Sequence, residues 1–223
     1  MSSVACVIPA FDAASTIESV ALGIRASLPN VMLVVVDDGS SDHTYDLAQR
    51  CCDRIVRLDI NHGKGAALRA GFVVALDAQV ESIITIDADG QHDPTRAPLL
   101  IAALANADVV IGARQRTRGT MPLGRRVTNA LASAAVGAIV GVDVPDAQSG
   151  YRAMRRDVLE RVHATGDRYE YETEFLIEAA RAGYRIASVR VPTTYGAASH
   201  FRAWDDSIRV VRAIWRHRAG RTS

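Results

Sequence analysis

Short apolar runs alternate with stretches of helical period from the beginning of the chain. Val4-Ala5-Cys6-Val7-Ile8 ends at Pro9, and Met32-Leu33-Val34-Val35-Val36 ends in Asp37-Asp38. Continuous runs rich in β-branched residues read as strands buried on both faces. Between them Ile17, Val20, Ala21, Ile24 and Leu28 recur at helical spacing, opened by a Ser15-x-x-Glu18 capping box and closed by Pro29-Asn30. Asp42 reads as the cap of a second helix containing Tyr45, Ala48 and Cys51. A third strand, Ile55 to Ile60, runs into Asn61-His62-Gly63-Lys64-Gly65, and a helix continues through Leu68 and Phe72. The fourth strand is Ser82 to Ile86. Asp93-Pro94 reads as N-cap and first residue of the next helix, Ala97 to Leu104, and Val109 to Gly112 is a fifth strand.

Strand–helix alternation with short connections predicts an α/β domain on a parallel sheet with right-handed crossovers. The second half is less regular. Arg114 to Arg126 reads as an arginine-bearing loop over the strand ends, and Val127 to Val142 as a small-residue helix. Asp146-Ala147-Gln148-Ser149-Gly150-Tyr151-Arg152 is turn chemistry entering a short strand. Glu170 to Glu174 opens a helix running to Ala182, its acidic residues suiting the N-terminal dipole. Of Glu172 and Glu174, two apart, one is expected at the site and the other in solvent. Ile186 to Val191 is a last strand closed by Pro192, Thr193 to Ala203 a loop, and Trp204 to His217 a final helix. With no repeat or linker, the whole chain, 1–223, reads as a single domain. Its parts are a regular first half to about residue 114, a less regular second half to about 203, and the C-terminal helix.

Function in such sheets collects at the carboxyl ends of the strands. There the sequence places Pro9 to Phe11, Asp37-Asp38, Gly63-Lys64, Asp87-Ala88-Asp89 and Arg114. Asp87 and Asp89 repel each other unless a cation lies between them or one stays protonated, and a hard divalent ion with oxygen ligands resolves the repulsion. Gly63-Lys64-Gly65 is not a phosphate-binding P-loop, because the first glycine is missing and Ala66 replaces the hydroxyl residue. Arg114, with Arg116 and Arg118, suits bidentate contact with phosphate. Ser199-His200 lies in a loop that could fold over a metal.

Composition narrows the class. The 223 residues, 48% of them hydrophobic, suffice for a full core. A net charge of +1 carries no field that would favour nucleic acid. Lys64 is the only lysine, which makes it stand out. Cys6, Cys51 and Cys52 lack metal spacing and read as reduced thiols of a cytosolic protein. No basic n-region precedes the first strand, and Val127 to Val142 is shorter than the roughly 20 apolar residues of a membrane span. The expected location is cytoplasmic, or peripheral on the cytosolic membrane face. The final helix carries Trp204, Ile208, Val211 and Trp215 on one stripe and Arg209, Arg212 and Arg216 on another. That pattern serves docking onto the domain or lying on an anionic membrane.

Taken in order, several motifs resemble the family 2 glycosyltransferases of the GT-A fold. The branch they look most like moves a sugar from a nucleotide onto polyprenyl phosphate, as dolichyl-phosphate mannose or glucose synthases do. They are Val7-Ile8-Pro9-Ala10-Phe11-Asp12, Val36-Asp37-Asp38-Gly39-Ser40-Ser41-Asp42, Asn61-x-Gly63-Lys64-Gly65, Asp87-Ala88-Asp89-Gly90-Gln91-His92, Gly112-Ala113-Arg114, Asp146-x-x-Ser149-Gly150-Tyr151-Arg152, Glu172-x-Glu174 and Val191-Pro192. The resemblance implies a mostly parallel central sheet with helices on both faces. It also implies Mg²⁺ or Mn²⁺ on Asp87, Asp89 and Gln91, and a nucleotide-sugar pocket from Pro9, Phe11, Asp38, Lys64, Asp87, Ala88 and Asp89. Arg114, Arg152 and Asp146 are the implied catalytic residues. Asp146 stands where sugar-acceptor relatives place a base, or orients Arg152 or the donor sugar. His92 receives no role. The chain departs from the family pattern at Phe11, often Tyr, and at Ala13, often Glu, which leaves base and ribose contacts open.

The implied reaction is inverting, from a GDP-mannose- or UDP-glucose-type donor to polyprenyl phosphate. Alternatives are a soluble glycan, protein or metabolite acceptor, a sugar-nucleotide nucleotidyltransferase, or a non-catalytic sugar-nucleotide-binding module. A homodimer is left open.

Overall fold

The structure is a computed structural model and describes residues 3–114, 133–134, 136–138, 141, 143–168 and 170–192. The expected arginines Arg116 and Arg118, most of the Val127–Val142 helix, His200 and the C-terminal helix lie outside the described residues.

Among the described residues, seven strands form one sheet: β1 (Val4–Ala10), β2 (Met32–Asp37), β3 (Arg54–Arg57), β4 (Ser82–Thr85), β5 (Val109–Arg114), β6 (Arg152–Arg155) and β7 (Ile186–Val191). Their order is β3-β2-β1-β4-β6-β5-β7. Helices among the described residues include α1 (Ile17–Ser27), α2 (Thr44–Cys51), α3 (Lys64–Asp77), α4 (Ala97–Ala103), α5 (Arg156–Arg161) and α6 (Glu170–Arg181).

The apolar runs are continuous because both faces of the sheet are covered. Successive side chains alternate between the faces. Val7, Val34, Ile83, Val109 and Met154 pack with Leu68 and Phe72 of α3 and Phe175 and Leu176 of α6. Cys6, Ile8, Leu33, Val35, Ile84, Val110 and Ala153 pack with Ile17, Val20 and Ile24 of α1 and Leu100 of α4. Helices on both faces of a mostly parallel sheet match the expected class.

One strand breaks the parallel rule. β6 runs antiparallel to both β4 and β5, with Thr85 and Ile111 each opposite Arg152. Its reversal brings the start of β6, rather than its end, to the carboxyl edge of the neighbours. The whole turn Asp146 to Tyr151 therefore joins the functional edge.

Local signals held with small shifts. The capping box fails: Thr16, not Ser15, is the N-cap of α1, and its hydroxyl bonds back to the Ala13 carbonyl instead. Asp42, expected as the cap of α2, stands one residue before the actual N-cap, His43, and accepts the Thr44 N–H at 2.9 Å from there. Asp93 accepts the Thr95 N–H at 2.9 Å and opens a short 3₁₀ turn, Pro94–Arg96, that leads into α4. Cys6 and Cys51 are buried free thiols, and Cys52 is half-buried.

Candidate active site at the carboxyl edge

Along the sheet edge the ends of β1, β2, β4 and β5 and the start of β6 converge. Pro9 and Ala10 close β1, paired with Val36 and Asp37, and Phe11 follows half-buried. The loops after β1 and β2 are stapled together. Ser40 Oγ accepts the Asp12 N–H at 3.0 Å, Thr44 Oγ1 the Ala13 N–H at 2.7 Å, and Asp12 Oδ1 the Ser41 N–H at 2.9 Å.

Asp38 is buried, and both its oxygens are engaged: Oδ1 accepts the His62 N–H and Oδ2 the Gly63 N–H, each at 2.8 Å. Burial pushes its carboxyl above the ordinary range, and the two amide bonds only partly offset this. Asp38 thus fixes the loop before α3.

The start of α3 is no anion cradle. The Asp167 carbonyl accepts the Gly65 and Ala66 N–H groups at 2.7 and 3.2 Å, closing the helix end. Lys64 instead turns to carboxylates, its Nζ lying 2.5 Å from Asp87 Oδ1 and 2.5 Å from Glu172 Oε1. Burial alone would lower its pKa, but the two carboxylates outweigh burial and raise it far above the ordinary lysine value. The same ammonium outweighs burial at Asp87 and holds that carboxyl below its usual range. Asp89 has the opposite balance. Burial and then the charge of Asp87 push it up, and its one hydrogen bond is from the Gln91 N–H at 2.9 Å.

Arg114 at the end of β5 is gripped by Asp146, with Nε 2.6 Å from Oδ2 and Nη2 2.9 Å from Oδ1. This bidentate pair holds a guanidinium in one plane at the edge. Asp146, only 3% exposed, therefore holds Arg114 from below the edge. Arg152 is also buried, and its donors go to carbonyls at 2.8 Å each: Nε to Ser149, Nη1 to Glu172 and Nη2 to Ala147. Through these three bonds it holds the Asp146–Tyr151 turn against α6.

The expectation that one of Glu172 and Glu174 lies in solvent fails, since both are buried. Glu174 accepts the Thr165 N–H at 3.1 Å and the Gly166 N–H at 2.9 Å. His92, left without a role, is 4% exposed, stacked at a tilt on Tyr151 with ring centroids 5.3 Å apart. Burial pushes it down to about 4, so it is neutral at physiological pH within the field of Asp87, Arg114 and Asp146. Its place inside the carboxyl edge carried no periodicity signal.

Gly150 passes against the Lys64–Asp87 pair. A Cβ there would lie 2.6 Å from Asp87 Oδ2 and closer still to Asp87 Oδ1 and Lys64 Nζ. Gly150→Ala is expected to separate that pair, lowering stability by about 1–3 kcal/mol, as overpacking does. A thermal melt checks this, and an unchanged midpoint would mean that the pair yields without cost.

Among the described residues, no three His, Cys, Asp or Glu side chains are grouped to hold a metal. Asp87 and Asp89 are an open pair rather than a closed cage. That donor set fits Mg²⁺ or Mn²⁺ bound by one or two carboxylates plus substrate phosphates.

The family model for glycosyl transferase family 2 matches residues 5–162. The chain is a family 2 glycosyltransferase. An undecaprenyl-phosphate mannosyltransferase of Micrococcus luteus is 30% identical over 202 residues, 85% of this chain and 82% of that protein. A polyprenol monophosphomannose synthase of Mycolicibacterium smegmatis is 31% identical over 202 residues, 85% of this chain and 76% of that one. Among solved structures, glucosyl-3-phosphoglycerate synthase from Mycobacterium tuberculosis superposes with a TM-score of 0.78 at 25% identity, covering 98% of this chain and 80% of that one. It was crystallised with Mn²⁺, UDP-glucose and phosphoglyceric acid. The glycosyltransferase fold is GT-A, its mostly parallel sheet flanked by helices.

Proposed function

We propose that this glycosyltransferase moves a sugar from a nucleoside-diphosphate sugar to polyprenyl phosphate, with inversion, at the cytosolic face of a membrane. The observation that carries the reading is the gathering of Asp38, Lys64–Asp87, Asp89 and Arg114–Asp146 on one sheet edge. The relatives whose names specify polyprenyl-phosphate transfer support the acceptor, and the neighbour's UDP-glucose and Mn²⁺ support the donor and the ion.

Pro9, Phe11 and Asp38 would receive the nucleoside, and Asp87, Ala88 and Asp89 the diphosphate side. Asp87, Asp89 and Gln91 would hold Mg²⁺ or Mn²⁺, which would neutralise charge on the leaving diphosphate. Lys64 holds Asp87 in place and keeps it charged. Arg114, fixed by Asp146, offers a cation to the leaving diphosphate or the acceptor phosphate without reorganising. A phosphate acceptor is already an anion and attacks the anomeric carbon opposite the leaving group. Asp146 then serves as the orienter of Arg114 rather than as a base. No helix among the described residues is long and apolar enough to cross a membrane, and peripheral contact is proposed through residues 204–217, with the arginine stripe of Arg209, Arg212 and Arg216 meeting anionic lipid.

A second reading, a soluble acceptor, is favoured by the phosphoglyceric acid held by the structural neighbour. Incubating the chain with labelled GDP-mannose or UDP-glucose and Mn²⁺ decides between them, with polyprenyl phosphate in vesicles against phosphoglyceric acid. Label is expected in the lipid. Label only in the soluble acid would replace the acceptor, and none from any donor would overturn the proposal.

A further inference from the structure

The segment Thr165 to Arg168, leading into α6, is tethered residue by residue. Glu174 takes the Thr165 N–H and hydroxyl, at 3.1 and 3.0 Å, and the Gly166 N–H at 2.9 Å. The Gly166 carbonyl accepts from Arg69 Nη1 at 2.6 Å, and the Asp167 carboxylate pairs with the same guanidinium. The Asp167 carbonyl closes the start of α3. Arg168 ends the segment exposed, and its guanidinium has no hydrogen bond or ion pair among the described residues.

Gly63 determines where that cation lies. Its φ of +103° belongs to the left-handed region, and a Cβ would meet Asp167 O at 2.5 Å and Arg168 Cγ at 2.8 Å. The Arg168 stem therefore lies against the glycine whose own N–H is bonded to Asp38 Oδ2 at 2.8 Å. The stem and the carboxylate meet at one residue, and the Arg168 charge is felt at Asp38, where it works against burial. No motif marked Arg168, which comes from the opposite half of the chain.

We infer that Arg168 is a specificity-determining contact for the nucleoside end of the donor, its flat guanidinium presented to the base and ribose beside Asp38. The inference rests on the nucleotide-sugar reading above. A planar cation suits the face of a base and the hydroxyls of a ribose, and a lysine ammonium reproduces neither geometry. The rigid segment keeps the stem in place, so little side-chain freedom is lost on binding.

The experiment measures binding of UDP, GDP, UMP, GMP and inorganic pyrophosphate to the full chain by calorimetry, alongside transfer kinetics. Arg168→Ala is expected to weaken nucleoside di- and monophosphates by about tenfold and leave pyrophosphate unchanged. KM for the donor should rise by the same factor with kcat within about twofold, the pattern of lost uniform binding. Arg168→Lys should restore only part. Arg168 is exposed, so a thermal melt of each variant should match the wild type. Equal binding by Arg168→Ala and wild type would overturn the inference alone. An equal loss on pyrophosphate would make Arg168 a phosphate contact and overturn it too. A wild type that binds neither UDP nor GDP would remove the nucleotide-sugar reading first, and this contact with it.

Discussion

Asp89→Asn is expected to abolish sugar transfer while leaving the melting temperature of the metal-free chain unchanged or slightly higher. Asp89 is the less comfortable of the two carboxylates. Burial and the charge of Asp87 both disfavour its ionised form, and a single amide bond from Gln91 supports it. Asparagine is nearly the same shape, keeps the acceptor for that amide and removes the repulsion. The apo fold should therefore lose nothing. What it loses is half of the open carboxylate pair on which a divalent ion and a donor diphosphate would meet. Charge stabilisation of that kind is worth several kcal/mol, and at about 1.4 kcal/mol per factor of ten the rate should fall about a thousandfold or more. Stability gives a second readout. An ion that binds only the folded chain stabilises it, by about 2.7 kcal/mol at a hundred times its dissociation constant. Mn²⁺ with UDP or GDP should raise the wild-type melting temperature, and the variant should show little of that rise. Full activity in Asp89→Asn, or in wild type under excess chelator, would refute a role for the ion.

The carboxyl edge was legible because its parts are local. Strand, turn and acidic pair follow one another within Ile84 to Asp93, and the rule that function collects at strand ends needs only the order of elements. What was not legible depends on contacts between distant segments. Nothing near Lys64 announces that its partners are Asp87 and Glu172, since the sheet brings one and α6 the other. One of Glu172 and Glu174 was expected in solvent on helical spacing alone, yet both are buried. The target of Glu174, the Thr165–Gly166 backbone, lies just before the helix, where spacing along a helix face says nothing. The catalytic role of Arg152 was implied by the family resemblance, which says nothing of its contacts. Its three carbonyl partners become visible only once the Asp146–Tyr151 turn is folded. The reversal of β6 was equally hidden. Arg-Ala-Met-Arg has no apolar period that could reveal direction, and direction is set by its neighbours on both sides.

Lys64→Met separates folding from chemistry in the opposite sense to Asp89→Asn. The ammonium is the shared counter-ion of Asp87 and of Glu172, whose side chain is only 2% exposed. Removing one partner of a buried pair leaves the other charge without compensation, and the expected cost is about 3–5 kcal/mol. A solvated surface pair would cost less than about 1 kcal/mol. The midpoint of denaturant unfolding distinguishes these values, provided the slope is unchanged. Adding Glu172→Leu to Lys64→Met should recover part of the loss, because the deeper of the two stranded charges is then gone. A cycle that shows no recovery would place the cost elsewhere, in lost packing of the lysine stem. Lys64 being the only lysine supplies an independent measure. An amine-reactive reagent should modify it slowly in the folded chain, because its neutral form is rare and its Nζ lies between two carboxylates. Modification should accelerate in Glu172→Gln, which removes one carboxylate without emptying the space it fills. Rapid labelling of the native chain would mean that the pair opens on its own. Asp87 would then be held for the donor by the donor itself, not by a lysine already in place.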